Sequence, residues 1–304
     1  MNKLHPPLKK VSRKVLTPLE RPAWLVPLFV GVWSLLVIVP LIVLLTYSFF
    51  ESKNFAMIYK PTLETWYSLF SSGRFEVTVR TLRIALTVTF IDLMIAYPCA
   101  LWLAKGGCSK SMRAIVLALL TIPFFLDLSS RIIVWRGILD ENGLINYLLL
   151  HLHIISTPIE GMLYNETAVH FGMIISYFPT MVLPLFLAIS VIDDNLVAAA
   201  ADMGATPFRI LKDIIFPLSL PGVVAGVVFT LGPALASWVE PNMLGGGFVN
   251  MLSNSIDSAY SALRYPVLAA LSSFVIFMIG AIFAILLLVT RRVTDLSNSF
   301  RSLH

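Results

Sequence analysis

Six stretches of this chain are each long and apolar enough to cross a lipid bilayer: Trp24–Phe49, Val79–Ala104, Ala114–Leu139, Thr167–Ile189, Phe216–Trp238 and Pro266–Thr290. Crossing a hydrocarbon core takes about 20 predominantly apolar residues. Inside lipid every backbone polar group must be bonded within the protein, so each stretch of this length is expected to be a helix. The fold class that follows is all-α, a polytopic membrane protein of six transmembrane helices. The third stretch is the least uniform and the last the cleanest. Composition agrees, with 58% hydrophobic and 13% charged residues, against roughly 25% charged in soluble domains. The first stretch starts late, lacks a small-residue cleavage site and exceeds the apolar core of a secretory signal. The expected organisation is one six-span domain, 24–290, between tails at 1–23 and 291–304.

Lys and Arg orient the spans. Lys3, Lys9, Lys10, Arg13, Lys14 and Arg21 precede the first, Lys105, Lys110 and Arg113 follow the second, and Arg291, Arg292 and Arg301 follow the sixth. With six spans these segments share one side, so both termini are expected in the cytoplasm. The loop between spans four and five then lies there too, although Arg209 and Lys212 face Asp193, Asp194, Asp202 and Asp213. The net charge of +5 is thus a topology signal for a membrane-embedded chain and no sign of nucleic-acid binding. Cys99 and Cys108 are the only cysteines, and His5, His151, His153, His170 and His304 are scattered, so neither a disulfide framework nor a metal site is expected. The G-x-x-x-x-G-K-[ST] phosphate loop is absent, so nothing indicates an ATP site on this chain.

Prolines punctuate the spans at Pro98, Pro123, Pro179, Pro184, Pro217, Pro221 and Pro233. Each removes a backbone donor and tends to kink a helix. Broken helices favour a transporter or channel over a simple anchor, although Gly and Pro are common in membrane helices generally.

The polar segment Ile192–Gly222 stands out between the fourth and fifth spans. Asp193 or Asp194 can cap a helix, Asn195–Met203 carries the helix formers Ala198–Ala201, and Gly204 supplies a left-handed stop. Thr206 and Pro207 restart a helix as cap and first residue. Phe208, Leu211, Ile214 and Ile215 mark one apolar face, and Phe216-Pro217 and Leu220-Pro221-Gly222 are expected to break the chain as it enters the membrane. Two short helices at an elbow form a knob that fits a partner's groove; an ordinary amphipathic interfacial hairpin is the other reading. Gly222 and Gly226 have the spacing that lets helices approach closely.

Asp127, Arg131 and Glu240 are the ionisable residues in or beside the spans that matter most. At bilayer depth such charges cost roughly 2.5–3.5 kcal/mol on insertion scales, which makes them functional candidates. Asp127 and Arg131, spaced i,i+4, are expected to pair on one helix face, either as a structural pair or on a polar path with Ser129 and Ser130. Glu240, with Trp238, Tyr177 and Phe178, offers a carboxylate and aromatic rings for an amine, or simply sits at the water boundary. The segment Leu244–Ala262, with Gly245-Gly246-Gly247, reads as a partly re-entrant or interfacial helix at the outer mouth. A stand-alone channel or ion-coupled secondary transporter would use the same three charges.

At the polar elbow the chain resembles the inner-membrane permease subunits of bacterial ABC importers, whose signature is EAA…G…I.LP. The matching positions are Ala198-Ala199-Ala200, Gly204, Ile214 and Phe216-Pro217, and Asp202, Gly204-Ala205, Phe208, Pro217 and Pro221-Gly222 agree as well. Ala198 stands where the family has Glu and Phe216 where it has Leu, so docking here rests on shape and apolar contact around Phe208. The resemblance continues through Ile122-Pro123-Phe124, Arg131, Trp135, Gly143–Asn146, Tyr177–Leu185, Trp238-Val239, Pro241, Leu244–Gly246 and Arg264–Pro266, and is nearest to spermidine/putrescine-type permeases. Those permeases usually have an acid at the position held by Ser237, one helical turn from Glu240, and a small polar residue at Asp127.

The resemblance implies a type I, MetI-like importer permease whose coupling loop, 193–215, includes Arg209 and Leu211 beside the signature residues. It implies a substrate path through Asp127, Arg131, Trp135, Tyr177, Phe178, Trp238 and Glu240. The implied partners are a second homologous permease, a cytoplasmic ATPase dimer carrying ATP and Mg, and a periplasmic or lipid-anchored substrate-binding protein. The chain itself would sit in the bacterial inner membrane, bind no cofactor and perform no covalent chemistry. A polyamine is the leading solute, with an opine, an amino-acid derivative or another small organic solute as alternatives.

Overall fold

The computed structural model describes residues 24–53, 56–71 and 73–301. The basic tail 1–23, with its orienting lysines and arginines, lies outside the described residues. Two compact units are distinguished, residues 1–44 and 45–304. The first is described by helix α1, Leu25–Tyr47, apolar throughout and exposed along its length.

The second unit begins with a two-stranded antiparallel hairpin, β1 Glu51–Lys53 and β2 Ala56–Ile58, in which Ser52 pairs with Met57. Helices α2 (Glu64–Ser71), α3 (Arg74–Lys105) and α4 (Lys110–Thr121) follow. After α4 a 3-10 turn, Ile122–Phe125, leads to α5 (Leu128–Leu139) and α6 (Leu144–His151). Next come α7 (Glu166–Ser190), α8 (Asp194–Asp202) and α9 (Pro207–Ile210), then a π turn at Leu211–Ile215. The chain ends with α10 (Phe216–Ala236), α11 (Val239–Met243), α12 (Leu252–Ser261) and α13 (Tyr265–Arg301). Among the described residues five helices are long and apolar enough to cross a membrane, and a sixth crossing exists if the bent pair Lys110–Phe125 and Leu128–His151 counts as one.

The frame of the bundle is α7 packed against both α3 and α10. One stripe of α3, Ile84, Ala85, Val88, Ala96, Ala100 and Leu103, is wholly buried; its recurrence every one or two helical turns is the apolar face of a helix turned to its neighbours. Two apolar clusters stack along these helices. One joins Val88, Met173, Tyr177 and Leu231, and the other joins Ala96, Met181, Leu185 and Ile215. Gly222 and Gly226 of α10 let α7 come close, as the spacing suggested. A Cβ on Gly222 would stand 2.8 Å from the Pro184 carbonyl oxygen, and one on Gly226 would stand 2.7 Å from Met181 Sδ.

Three expectations are corrected. The third apolar stretch is not one straight span: it bends by 105° between Phe125 and Leu128. Pro123 interrupts the amide ladder, and Asp127 caps a new helix by accepting a bond from the Ser130 amide at 3.2 Å. Proline otherwise breaks little, because Pro98, Pro179, Pro184, Pro221 and Pro233 all lie inside continuous helices. The chain also does not break at Phe216-Pro217. Pro217 sits in the first turn of α10, where its missing amide is tolerated, and the preceding π turn carries the helix across, with the Phe216 amide bonded to the Leu211 carbonyl. Buried Asn146 fixes the 140–165 connection by donating to the Glu141 and Ile159 carbonyls at 3.0 Å each and accepting from the Ile159 amide at 2.9 Å.

Candidate functional site

The elbow forms as its sequence dictates. Asp193 Oδ1 accepts from the Asn195 amide at 2.9 Å and starts α8. The helix ends where the Gly204 amide bonds to the Ala201 carbonyl at 2.9 Å and the Ala205 amide to the Ala200 carbonyl at 3.0 Å. This double bond pattern needs a left-handed residue, supplied by Gly204 at φ 83°. Thr206 Oγ1 then accepts from the Arg209 amide at 3.3 Å, with Pro207 as the first residue of α9.

The elbow has two sides. Ala200 and Ile210 are buried, and Val197, Ala205 and Leu211 pack against the same cluster at the end of the bundle. Ala198, Ala199, Asp202 and Arg209 are exposed, Pro217 is half-buried, and Arg209 pairs with Asp213 at 3.5 Å. Phe208 is 73% exposed and does not share a face with Leu211, Ile214 and Ile215. The π turn takes more residues per turn than an α-helix, which rotates the residues ahead of it out of register and points Phe208 outward. Lys105, in the last turn of α3, donates to the Ile192 carbonyl at 2.5 Å and pairs with Asp194, so the elbow is fastened to the membrane helices.

A polar cluster lies at the opposite end of α10. The helix stops at Ala236, Ser237 adopts an extended conformation, and α11 restarts two residues later. Glu240 is fully buried: its Oε2 accepts from Ser237 Oγ, while its Oε1 has no partner. Ser253 Oγ of α12 donates to the Ser237 carbonyl, so the helix expected at the mouth is tied to this turn. The buried Tyr177 hydroxyl donates to the Pro233 carbonyl at 3.5 Å and feels the charges of Glu240 and Arg131. Arg131 is half-buried with its Nε unpartnered.

The expected path residues therefore separate. Tyr177, Arg131 and Glu240 come together, and Glu240 lies inside the protein, away from any water boundary. The expected Asp127–Arg131 ion pair is absent among the described residues, because Asp127 spends its carboxylate as the exposed cap of α5. Trp135 packs edge-on against Phe171 with ring centres 5.1 Å apart, Phe178 is turned to the other cluster, and Trp238 is 46% exposed.

Sequence reasoning also missed Asp92, which is wholly buried in the middle of α3 with both carboxylate oxygens unpartnered. The signal was there. Asp92 falls four residues after Val88 and four before Ala96, inside the buried stripe.

Comparison with known proteins bears on what these two ends belong to. Residues 93–299 match the family model of the binding-protein-dependent transport system inner membrane component. The spermidine/putrescine transport system permease protein PotB of Escherichia coli (strain K12) is 31% identical over 271 residues, covering 88% of this chain and 96% of the relative. PotB of Haemophilus influenzae is 32% identical over 226 residues, 74% of this chain and 78% of the relative. Among solved structures, a bacterial ABC transporter involved in the import of the acidic polysaccharide alginate aligns with a TM-score of 0.70 over 89% of this chain and 96% of that one. At 20% identity this is a likeness of fold. A bacterial alginate ABC transporter in complex with an alginate pentasaccharide-bound periplasmic protein aligns with a TM-score of 0.69 at 19% identity, over 89% of this chain and 94% of that one. With two thirds of its length inside the family model, the chain belongs to the binding-protein-dependent transport system inner membrane components, the membrane-spanning permeases of ABC importers.

Proposed function

We propose that this permease forms the path for a small cationic solute, a polyamine of the spermidine/putrescine type, and that a cytoplasmic ATPase drives it through the 193–215 elbow. The observation that carries the solute reading is Glu240: a fully buried carboxylate with one oxygen unpartnered, beside the Tyr177 hydroxyl. Burying an acid at such depth is expensive unless a cation meets it. An ammonium group supplies both the charge and the donors that Oε1 lacks. Because Ser237 Oγ touches Glu240, the carboxylate stands beside the position where resembling permeases carry their acid. The spermidine/putrescine names of the PotB relatives point to the same solute class.

The elbow supports the coupling reading. Its inner side is packed on the bundle and its outer side presents Phe208 and Met203, 73% and 83% exposed. Closure of an ATPase dimer around this knob would push it against the ends of α3 and α10, and the α3–α7–α10 frame would open at the other end. ATP and Mg belong to that partner. A second permease completes the membrane unit, and a binding protein delivers the solute from outside, as in the alginate complex. The elbow and both termini then face the cytoplasm, and the loops carrying the hairpin and α6 face outward.

The test is uptake of radiolabelled spermidine and putrescine into proteoliposomes holding the permease co-expressed with its genomic neighbours. Accumulation that needs ATP and is outcompeted by unlabelled polyamine, and not by an opine, is the expected result. A complex that hydrolyses ATP but takes up neither polyamine removes the solute reading. A permease that recruits no ATPase removes the coupling reading.

A further inference from the structure

Asp92 has no role in either end of the molecule. It lies on α3 between Val88, the last α3 residue of one apolar cluster, and Ala96, the first of the other. The same gap on α7 falls between Tyr177 and Met181, and on α10 it falls just before Leu231. It holds Thr180 and Thr230, whose hydroxyls are 3.2 Å apart, and buried Thr89 one residue after Val88. A polar belt therefore crosses the frame at this level. Its hydroxyls are already engaged, since Thr180 also donates to the Tyr177 carbonyl at 2.6 Å and Thr89 to the Ala85 carbonyl at 2.7 Å. Only the Asp92 carboxylate is left with both oxygens empty.

A structural acid inside a membrane bundle is expected to be paired or hydrogen-bonded. Among the described side chains of α3, the cations are paired at its ends: Arg80 with Glu76, Arg83 with Glu166 and Lys105 with Asp194. Seven residue steps lead from Thr230 in α10 to Ser237 just after it, so the belt lies about 10 Å deeper than the Glu240 cluster at the usual helical rise. Two carboxylates thus stand in file along the bundle, one at its mouth and one at its middle. This spacing suits a flexible linear polycation, whose positive groups are spread along an alkyl chain.

We infer that Asp92 is a second cation-accepting site on the path, which takes an ammonium group of the solute when the seam between α3, α7 and α10 opens. The inference rests on the cationic-solute reading and adds to it a mid-membrane station. In the closed bundle the carboxylate waits unsatisfied, which disfavours this state and helps the seam to part when a cation arrives.

The experiment compares Asp92→Asn, Asp92→Glu and wild type in the ATPase-coupled proteoliposome complex, reading spermidine uptake, ATP hydrolysis and the permease unfolding temperature together. Asp92→Asn is expected to lower uptake at least tenfold, to keep ATP hydrolysis within twofold and to unfold no lower than wild type, because the amide fills the same space and the carboxyl it replaces holds no partner. Asp92→Glu should recover a substantial part of the uptake. Wild-type uptake by Asp92→Asn overturns the inference, since a carboxyl carried neutral would be mimicked by the amide. A lower unfolding temperature for Asp92→Asn overturns it as well, by making Asp92 a structural group. Wild-type complex that takes up no polyamine overturns the solute reading and this station together.

Discussion

Lys105 fastens the coupling elbow to the bundle: its Nζ donates to the Ile192 carbonyl at 2.5 Å and pairs with the Asp194 carboxylate. The ammonium closes the C-terminal turn of α3 and Asp194 opens α8, so each charge complements the dipole of its own helix. The two ends are unequal, with the Lys105 side chain 13% exposed and that of Asp194 85% exposed. Lys105→Met should therefore cost more than Asp194→Asn. Losing Lys105 strands a carbonyl, worth about 1–3 kcal/mol, whereas an exposed partner contributes about 0–1 kcal/mol. Thermal unfolding of the two single variants in detergent checks the order, and equal losses would show that the carbonyl bond matters little.

Gly204 should answer to backbone conformation and not to size. Its φ is 83° and a Cβ would meet nothing within 4 Å. A left-handed L-residue costs roughly 1–2 kcal/mol, less for Asn, whose side chain bonds locally. Gly204→Asn should keep most ATP-dependent uptake, while Gly204→Val, β-branched, should lose at least tenfold at equal abundance in the membrane. Uptake by the Val variant at the wild-type rate would show that the elbow tolerates a distorted corner.

The two close-approach glycines of α10 should differ. At Gly222 an added Cβ meets the Ala188 Cβ and, at 2.8 Å, the Pro184 carbonyl oxygen, atoms that move only with α7; at Gly226 it meets Met181 Sδ at 2.7 Å, which can swing aside, and the Met181 carbonyl oxygen only at 3.1 Å. Overpacking of a tight interface costs about 1–3 kcal/mol, so Gly222→Ala should reach the upper part of that range and Gly226→Ala the lower. Unfolding temperatures measured side by side decide, and a larger loss at Gly226 would reverse the assignment of the tighter contact.

The contrast between Gly204 and Asp127 marks where the sequence can be read and where it cannot. Gly204 was legible because caps are local: Asp193, Gly204, Thr206 and Pro207 each act within a few residues, and each does what its chemistry requires. The long spans were legible for the same reason, since length and hydropathy alone define them. Asp127 was misread because the choice between a helix interior and a cap depends on whether the chain bends at Pro123, and hydropathy is blind to bends. Phe208 failed through register, as the π turn that absorbs Pro217 shifts every face before it. Asp92 was overlooked because one acid in a 32-residue helix looks incidental until the stripe around it is known to face α7 and α10.

The sharpest consequence at the mouth is that Ser237 and Glu240 should be able to exchange their chemistry. Their side chains touch in a buried turn, with Ser237 Oγ donating to Glu240 Oε2. A carboxylate grown from position 237 would therefore reach the space that Glu240 occupies. Glu240→Ala alone removes the acid and should lower spermidine uptake at least tenfold. Combining it with Ser237→Asp restores an acid three residues away, across the turn between α10 and α11, and should recover uptake to within a few-fold of wild type. Glu240→Gln separates charge from shape: it can still accept from Ser237, so it should fold like wild type yet transport as poorly as the Ala variant. If Gln at 240 transports normally, the carboxylate is not what meets the amine; if the double variant stays as impaired as Glu240→Ala, the acid must hang from α11 itself, because only that backbone aims it at the path.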